Sequence, residues 1–186
     1  MTIEEQLQSL RRPAPATVRP AVELGTGLVP GFSVYEAPVG EVAVVFTPRG
    51  VRSVRLADEV DPGAIEAEPP RAWRDRIRRA LEEGRPGDLP LDLEGVSPFR
   101  RRVLEKAATI PKGEVRSYGW LARHVGKPGA SRAVGSAMAT NPVPLIIPCH
   151  RVVRSDGRIG AYSLGGPENK WKLLRYEGAE PELLEE

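Results

Sequence analysis

The residues best suited to chemistry in this 186-residue chain stand together at Pro148-Cys149-His150-Arg151. Cys149 is the only cysteine, so an internal disulfide and a zinc site built from several thiolates are both excluded. A thiol beside His150 and Arg151 sits in an electropositive setting. Such a setting favours the thiolate, the strongest nucleophile among the standard side chains. The same string also fits a buried, inert cysteine next to a structural histidine. Pro142, Pro144 and Pro148 precede the thiol and restrict both themselves and their predecessors, so residues 141–150 read as a stiff, extended path. In extended backbone, neighbouring side chains point to opposite sides, and His150 would need a bend or a water to reach Cys149.

Several elements must position that string. Ser97-Pro98 is an N-cap followed by proline at the first helical position, and Phe99, Val103, Leu104 and Ala107 supply a buried stripe that Pro111-Lys112-Gly113 ends. Ser117 caps a second short helix burying Leu121, Ala122 and Val125, and residues 129–139 read as a third. Short helices in quick succession fit a helix-turn-helix, whose later helix enters a DNA groove. In that third helix Ala133, Gly135, Ser136, Ala137 and Ala139 are all small, which suits close approach to a narrow groove and equally suits tight helix packing. Val152-Val153 and Arg158-Ile159 flank Ser155-Asp156-Gly157 as a hairpin. Pro167 opens a last helix that Gly178 ends.

Upstream, Phe32 to Leu56 holds three β-rich runs joined by turns at Pro38-Val39-Gly40 and Pro48-Arg49-Gly50, which predicts an antiparallel meander. Residues 57–70 read as a connection rich in proline and acids. Trp73, Ile77, Ala80 and Leu81 then recur at helical spacing up to Gly84, and Asp88 to Val96 reads as an extended linker. The expected organisation is an N-terminal extension over 1–31, an α/β domain over 32–93, a mainly α domain over 94–180 and an acidic tail over 181–186.

The net charge of +2 hides an asymmetry. Met1 to Leu91 carries 12 basic and 14 acidic residues, whereas Pro98 to Tyr176 carries 15 basic and 4 acidic, a balance of +11. So basic a segment fits a polyanion, because Lys and Arg that neutralise phosphates release counterions. A general arginine bias, with 22 of the 27 basic residues being Arg, would give the same count. No apolar run approaches the ~18 residues of a membrane span and the first residues lack a signal-peptide pattern, so the expectation is a cytoplasmic protein with no membrane partner.

Taken in order, Ser117-Tyr-Gly-Trp-Leu-Ala122, Arg132-Ala-Val-Gly-Ser-Ala-Met138, Asn141-Pro-Val-Pro, Ile147-Pro-Cys-His-Arg-Val-Val153, Tyr162-Ser and Glu177-Gly178 closely resemble the O6-alkylguanine-DNA alkyltransferase family, also called methylated-DNA-protein-cysteine methyltransferases. The resemblance is dense from about Pro98 to Gly178, weaker over Phe32 to Leu93 and absent over the first thirty residues. It implies a ribonuclease H-like α/β N-terminal domain with a small antiparallel sheet, followed by a winged helix-turn-helix DNA-binding domain. It also implies repair of duplex DNA carrying O6-alkylguanine, and leaves acceptance of O4-alkylthymine open: the damaged base leaves the stack and its alkyl group passes irreversibly to Cys149. No cofactor is implied, and the protein would act as a monomer or cooperatively on DNA, nucleoid-associated when bound.

By the same resemblance His150 draws the thiol proton through a water, Glu177 orients the imidazole and Asn141 braces the turn that carries the cysteine. Tyr118 serves the departing guanine and the expulsion of the base. Arg132 fills the vacated space, with Ala133, Gly135 and Ser136 beside it on the DNA face, and Met138, Val152, Tyr162 and Ser163 line the guanine pocket. The family's Tyr-Ser-Gly-Gly run appears here as Tyr162-Ser-Leu-Gly-Gly166, with Leu164 in addition. The residues that bind zinc in some relatives have no counterparts, so no metal is expected. Two other readings use the same features: a module that binds alkylated DNA without repairing it, and a cysteine hydrolase whose acyl-enzyme water must release.

Overall fold

The computed structural model describes residues 24–27 and 29–180; the first 23 residues and the acidic tail lie outside the described residues. Strands β1 (Gly31–Ala37), β2 (Gly40–Thr47) and β3 (Gly50–Leu56) form the expected antiparallel meander. Gly40 and Gly50 both have positive φ, 110° and 147°, where each two-residue loop re-enters a strand. β2 lies between the other two, and its residues Val42 to Thr47 are all buried, so it shows no alternation of exposed and buried positions.

The connection read over 57–70 contains a fourth strand, β4 (Ile65–Glu66), which runs parallel to β1 and makes the sheet mixed, in the order β3-β2-β1-β4. Two residues cannot display a period, so only tertiary pairing reveals it. Helix α1 (Arg71–Glu83) follows, buries Ile77 and Ala80, and ends at Gly84 in the left-handed region, φ 63°. The stretch expected as a linker is tied to the sheet edge: Val51 N donates to the Pro90 carbonyl, Asp92 N donates to the Val51 carbonyl, and Leu91 bridges Val51.

In the helical half, α2 (Pro98–Ala107) starts at Ser97, whose hydroxyl accepts from Arg100 N, and stops at Ala107, four residues before Pro111, the proline expected to end it. Helix α3 (Tyr118–His124) is capped by Ser117, whose hydroxyl accepts from Trp120 N. Helix α4 (Ser131–Ala139) buries Val134, Ala137 and Met138, and begins after a turn over the first residues assigned to it from sequence. Helix α5 (Gly166–Glu177) closes the described chain at Gly178.

The hairpin expected around Ser155-Asp156-Gly157 is only a turn, with Arg154 N donating to the Arg158 carbonyl. Val152-Val153 (β6) pairs instead, in parallel, with Arg116-Ser117 (β5). That pairing fastens the start of α3 beside the residues that follow the thiol. One contiguous apolar core runs from Val42, Val44, Val51 and Val54 of the sheet through Ile77 to Val103, Leu104, Leu121, Val134, Ile146 and Leu173. The sheet also reaches the thiol-bearing segment directly, since Val54 N donates to the Pro142 carbonyl. Among the described residues no helix is long and apolar enough to cross a membrane.

Candidate functional site

The segment from Asn141 to Arg151 is not the extended path its prolines predict but a series of tight turns. Asn141 organises it: Oδ1 accepts from Val143 N at 3.1 Å, and Nδ2 donates to the Ile147 carbonyl at 2.8 Å and to Cys149 Sγ at 3.1 Å. Leu145 takes a positive φ of 69°, a conformation that costs a non-glycine residue energy and is held here by the surrounding turns. Pro148, at φ −80° and ψ 65°, forms an inverse γ-turn with Cys149 N on the Ile147 carbonyl at 2.8 Å. Cys149, His150 and Arg151 then make a 3-10 turn. Proline restricts φ but permits this turn, which is why the extended reading fails.

All three turn residues are buried, each about 1 % exposed. Burial pushes the Cys149 thiol upward, against the Asn141 hydrogen bond and the positive charge of Lys170, which favour the thiolate. His150 Nε2 lies 3.0 Å from Glu177 Oε1. A carboxylate oxygen can only accept, so Nε2 carries the hydrogen and Nδ1 presents its lone pair. That Nδ1 is buried and has no hydrogen-bond partner. Burial lowers the basicity of His150 while Glu177 raises it.

Glu177 owes its place to the end of α5. Gly178, at φ 70°, donates to the Arg175 carbonyl, Ala179 donates to that of Leu174, and Ala179 packs with Leu174. This is a Schellman motif, and it fixes the last helical residue facing the 3-10 turn. The Glu177 carboxyl is held down at about 2: its burial acts upward, and the hydrogen bonds and charges of His150 and Arg151 outweigh it.

The structure brings together Cys149, His150, Glu177 and Asn141, with Tyr162 and Ser163 alongside. The Tyr162 ring meets His150 edge-on, centroids 6.2 Å apart, the Tyr162 hydroxyl is buried without a hydrogen-bond partner, and the buried Ser163 hydroxyl faces Cys149, where it favours the thiolate. Tyr118 opens α3, and burial and the neighbouring Cys149 both raise its phenol. Met138 and Val152 are fully buried. Arg132, Ala133 and Ser136 lie on the exposed side of α4, with Gly135 partly exposed. The additional Leu164 is buried in the core, and Gly165 and Gly166 after it both adopt positive φ.

Two buried cations escaped the sequence reading as site residues. Lys170 is about 1 % exposed, donates to the Val152 carbonyl at 2.6 Å, and lies 5.7 Å from the Tyr118 ring centre. Burial lowers it to about 8, and the Cys149 charge opposes the shift. Its sequence signal is spacing: Lys170, Leu173, Leu174 and Glu177 fall at i, i+3, i+4 and i+7, one helical face. Arg151, although inside the quoted motif, gave no sign that it would be buried.

A family model described as "6-O-methylguanine DNA methyltransferase, DNA binding domain" matches residues 98–179. A methylated-DNA–protein-cysteine methyltransferase of Mus musculus is 40% identical over 172 residues, covering 79% of this chain and 81% of that protein. A "DNA base-flipping protein" of Thermus thermophilus is 40% identical over 148 residues, covering 76% of this chain and 96% of its own length. The crystal structure of Mycobacterium tuberculosis OGT in complex with DNA superposes with a TM-score of 0.66 at 31% identity, covering 82% of this chain and 97% of that one. The chain belongs to the methylated-DNA–protein-cysteine methyltransferase family, and its mixed sheet with added helices is the α/β architecture of those alkyltransferases.

Proposed function

We propose that the protein repairs duplex DNA by a single, stoichiometric transfer of the alkyl group from O6-alkylguanine to Cys149. The observation that carries this reading is the buried set of Cys149, His150 and Glu177, in which an imidazole oriented by a carboxylate presents an unpartnered Nδ1 beside the thiol's turn. His150 takes the Cys149 proton through a water, the sulfur attacks the alkyl carbon, and the carbon–O6 bond breaks as the sulfur–carbon bond forms. Tyr118 assists the departing guanine. The product is a thioether, a poor leaving group, so each molecule acts once. Asn141 braces the turn, and Met138, Val152, Tyr162 and Ser163 enclose the base, with the free Tyr162 hydroxyl available to its polar edge.

In this reading residues 32–93 form a ribonuclease H-like domain and residues 94–180 a winged helix-turn-helix domain, in which α3 and α4 are the two helices. The exposed side of α4, with Arg132, Ala133, Gly135 and Ser136, enters the minor groove of DNA. The work is done in the cytoplasm, on the nucleoid, by a monomer that needs no metal or cofactor. The presence of Cys149 distinguishes the chain from a module that only binds and flips bases.

The test is intact-protein mass after mixing with excess O6-methylguanine duplex. One methyl group per chain is expected, mapped to Cys149, and Cys149→Ser should abolish it while keeping duplex binding; repeated turnover would point to a hydrolase instead. Arg132 is tested by substrate choice. The target base leaves the stack at a cost of a few kcal/mol, and a guanidinium in the vacated space offsets part of that cost. Arg132→Ala should therefore slow duplex repair by about tenfold or more while leaving transfer from free O6-benzylguanine nearly unchanged. Equal losses on both substrates would remove Arg132 from base extrusion.

A further inference from the structure

Arg151 is among the largest fully buried side chains of the described protein, yet the transfer scheme gives it no task. Its guanidinium donates from Nε to Glu177 Oε2 at 2.9 Å and from Nη2 to Glu177 Oε1 at 2.8 Å, a fork-to-fork pair. Its remaining donors reach the Glu83 carbonyl at 2.8 Å, the Ile110 carbonyl at 2.7 Å and the Gly84 carbonyl at 3.3 Å. Glu83 and Gly84 form the C-terminal end of α1, where unsatisfied carbonyls and the helix dipole favour a cation. Gly84 leaves the room for it, because a side-chain carbon there would collide with the guanidinium. One oxygen, Glu177 Oε1, is thus shared between Arg151 Nη2 and His150 Nε2.

Resting on the alkyl-transfer reading, we propose that Arg151 is a positioning residue for the reaction, holding Glu177 at a fixed angle to His150 and offsetting enough of its charge to keep the imidazole a neutral base. A lone carboxylate in so buried a place would draw a proton onto the imidazole, and a protonated His150 cannot accept one from Cys149. A carboxylate already matched by a guanidinium orients the ring without charging it. The planar fork also removes the rotation about the last bond of Glu177 that a single hydrogen bond would leave. The charges that face His150 are Glu177 and Lys170 from α5 and Arg151 from its own turn, with the neutral Tyr162 ring edge and the Cys149 thiol beside it. Glu177 makes the imidazole more basic; both cations make it less so. The end of α1, over sixty residues away in sequence, thereby becomes part of the support of the base.

The experiment measures single-turnover benzyl transfer from free O6-benzylguanine to Cys149, which needs no DNA, as a function of pH. Wild type, Arg151→Gln and Arg151→Lys are compared, with thermal melts to establish folding. In the wild type the rate falls on the acid side as His150 becomes protonated. Arg151→Gln removes the charge, so the midpoint of that acid limb should move to higher pH by about one unit. Arg151→Lys keeps the charge and loses the fork, so the midpoint should stay in place while the plateau rate drops about tenfold. A uniform loss in Arg151→Gln with an unmoved midpoint, or a wild-type plateau in Arg151→Lys, would overturn the proposal; if the Gln variant does not fold, the Lys plateau decides. Absence of transfer in the wild type would overturn the alkyl-transfer reading itself, a result that no shift of the limb can mimic.

Discussion

The buried carboxylate at the sheet edge and two buried atoms beside the thiol are treated in opposite ways. At the sheet edge Asp92 is buried, and its Oδ2 accepts from the Thr47 hydroxyl at 2.8 Å and from Arg49 at 3.3 Å, while Oδ1 accepts from Glu94 N at 3.3 Å. Those hydrogen bonds and the Arg49 charge hold its carboxyl below the ordinary value although burial acts the other way. Around Cys149 two buried atoms, His150 Nδ1 and Tyr162 Oη, have no hydrogen-bond partner. Leaving a buried polar atom unpaired costs about 1 to 3 kcal/mol. A fold bears that cost where the missing partner arrives with a substrate or a water, and the sheet, which binds neither in the proposed scheme, leaves no such debt at Asp92. The contrast separates polar groups that hold the chain together from polar groups that wait for chemistry.

The hardest blow to this contrast would come from the imidazole. Removing an oriented general base costs ~10²- to 10⁴-fold in rate, so His150→Ala should slow transfer by that order, and Glu177→Gln should slow it substantially, with the duplex bound as before. Stopped single-turnover assays on folded variants read both. An unaltered rate in Glu177→Gln would mean that the His150–Glu177 pair is structural, like the pair at the sheet edge.

Lys170 sharpens the comparison through stability. Burial lowers it from 10.5 to about 8. Between those values the unfolded chain keeps a proton that the folded chain has released, so unfolding takes up a proton and stability rises with pH across that window. Below pH 8 both states are protonated, and the folded chain carries the full cost of the buried charge, on the order of 3 kcal/mol. The melting temperature of Lys170→Met relative to wild type should therefore be most favourable below pH 8 and should decline steadily toward pH 10.5. A difference that is flat with pH would show that Lys170 folds at no electrostatic cost, as the satisfied sheet groups do.

How far these features could be read from sequence follows the range of the forces involved. The helix starts at Ser97 and Ser117 and the ends at Gly84 and Gly178 were legible because capping is a bargain among residues within one turn. The ordered motifs likewise single out Cys149, His150, Glu177 and Asn141. Strand β4 was hidden because its two residues owe their conformation to β1, over thirty positions earlier. The compact turn at the thiol was misread because proline statistics limit single residues, whereas Asn141 closes the turn by reaching six and eight residues ahead. Arg151 and Lys170 were missed for a related reason. A buried cation is unaffordable without acceptors, and theirs come from α1, α5 and the chain at Ile110 and Val152, which only the fold assembles.

The smallest effect is expected at Thr47, and it is the control for the others. Its hydroxyl donates to Asp92 Oδ2 and also accepts from Arg49 N at 3.2 Å, so it joins three groups at the β2–β3 turn. Thr47→Val keeps the shape and removes the hydroxyl, which leaves Asp92 with one donor fewer and Arg49 N without this acceptor. A hydrogen bond to a charged group contributes about 1.5 kcal/mol or somewhat more, and that loss should appear as a lowered denaturation midpoint with an unchanged slope. Transfer from O6-benzylguanine should proceed at the wild-type rate, because the Asp92 cluster touches neither Cys149 nor Glu177 nor the end of α1 that holds Arg151. A slowed transfer in a variant that melts normally would break the division drawn above, since it would make a fully satisfied polar cluster at the sheet edge a participant in the chemistry.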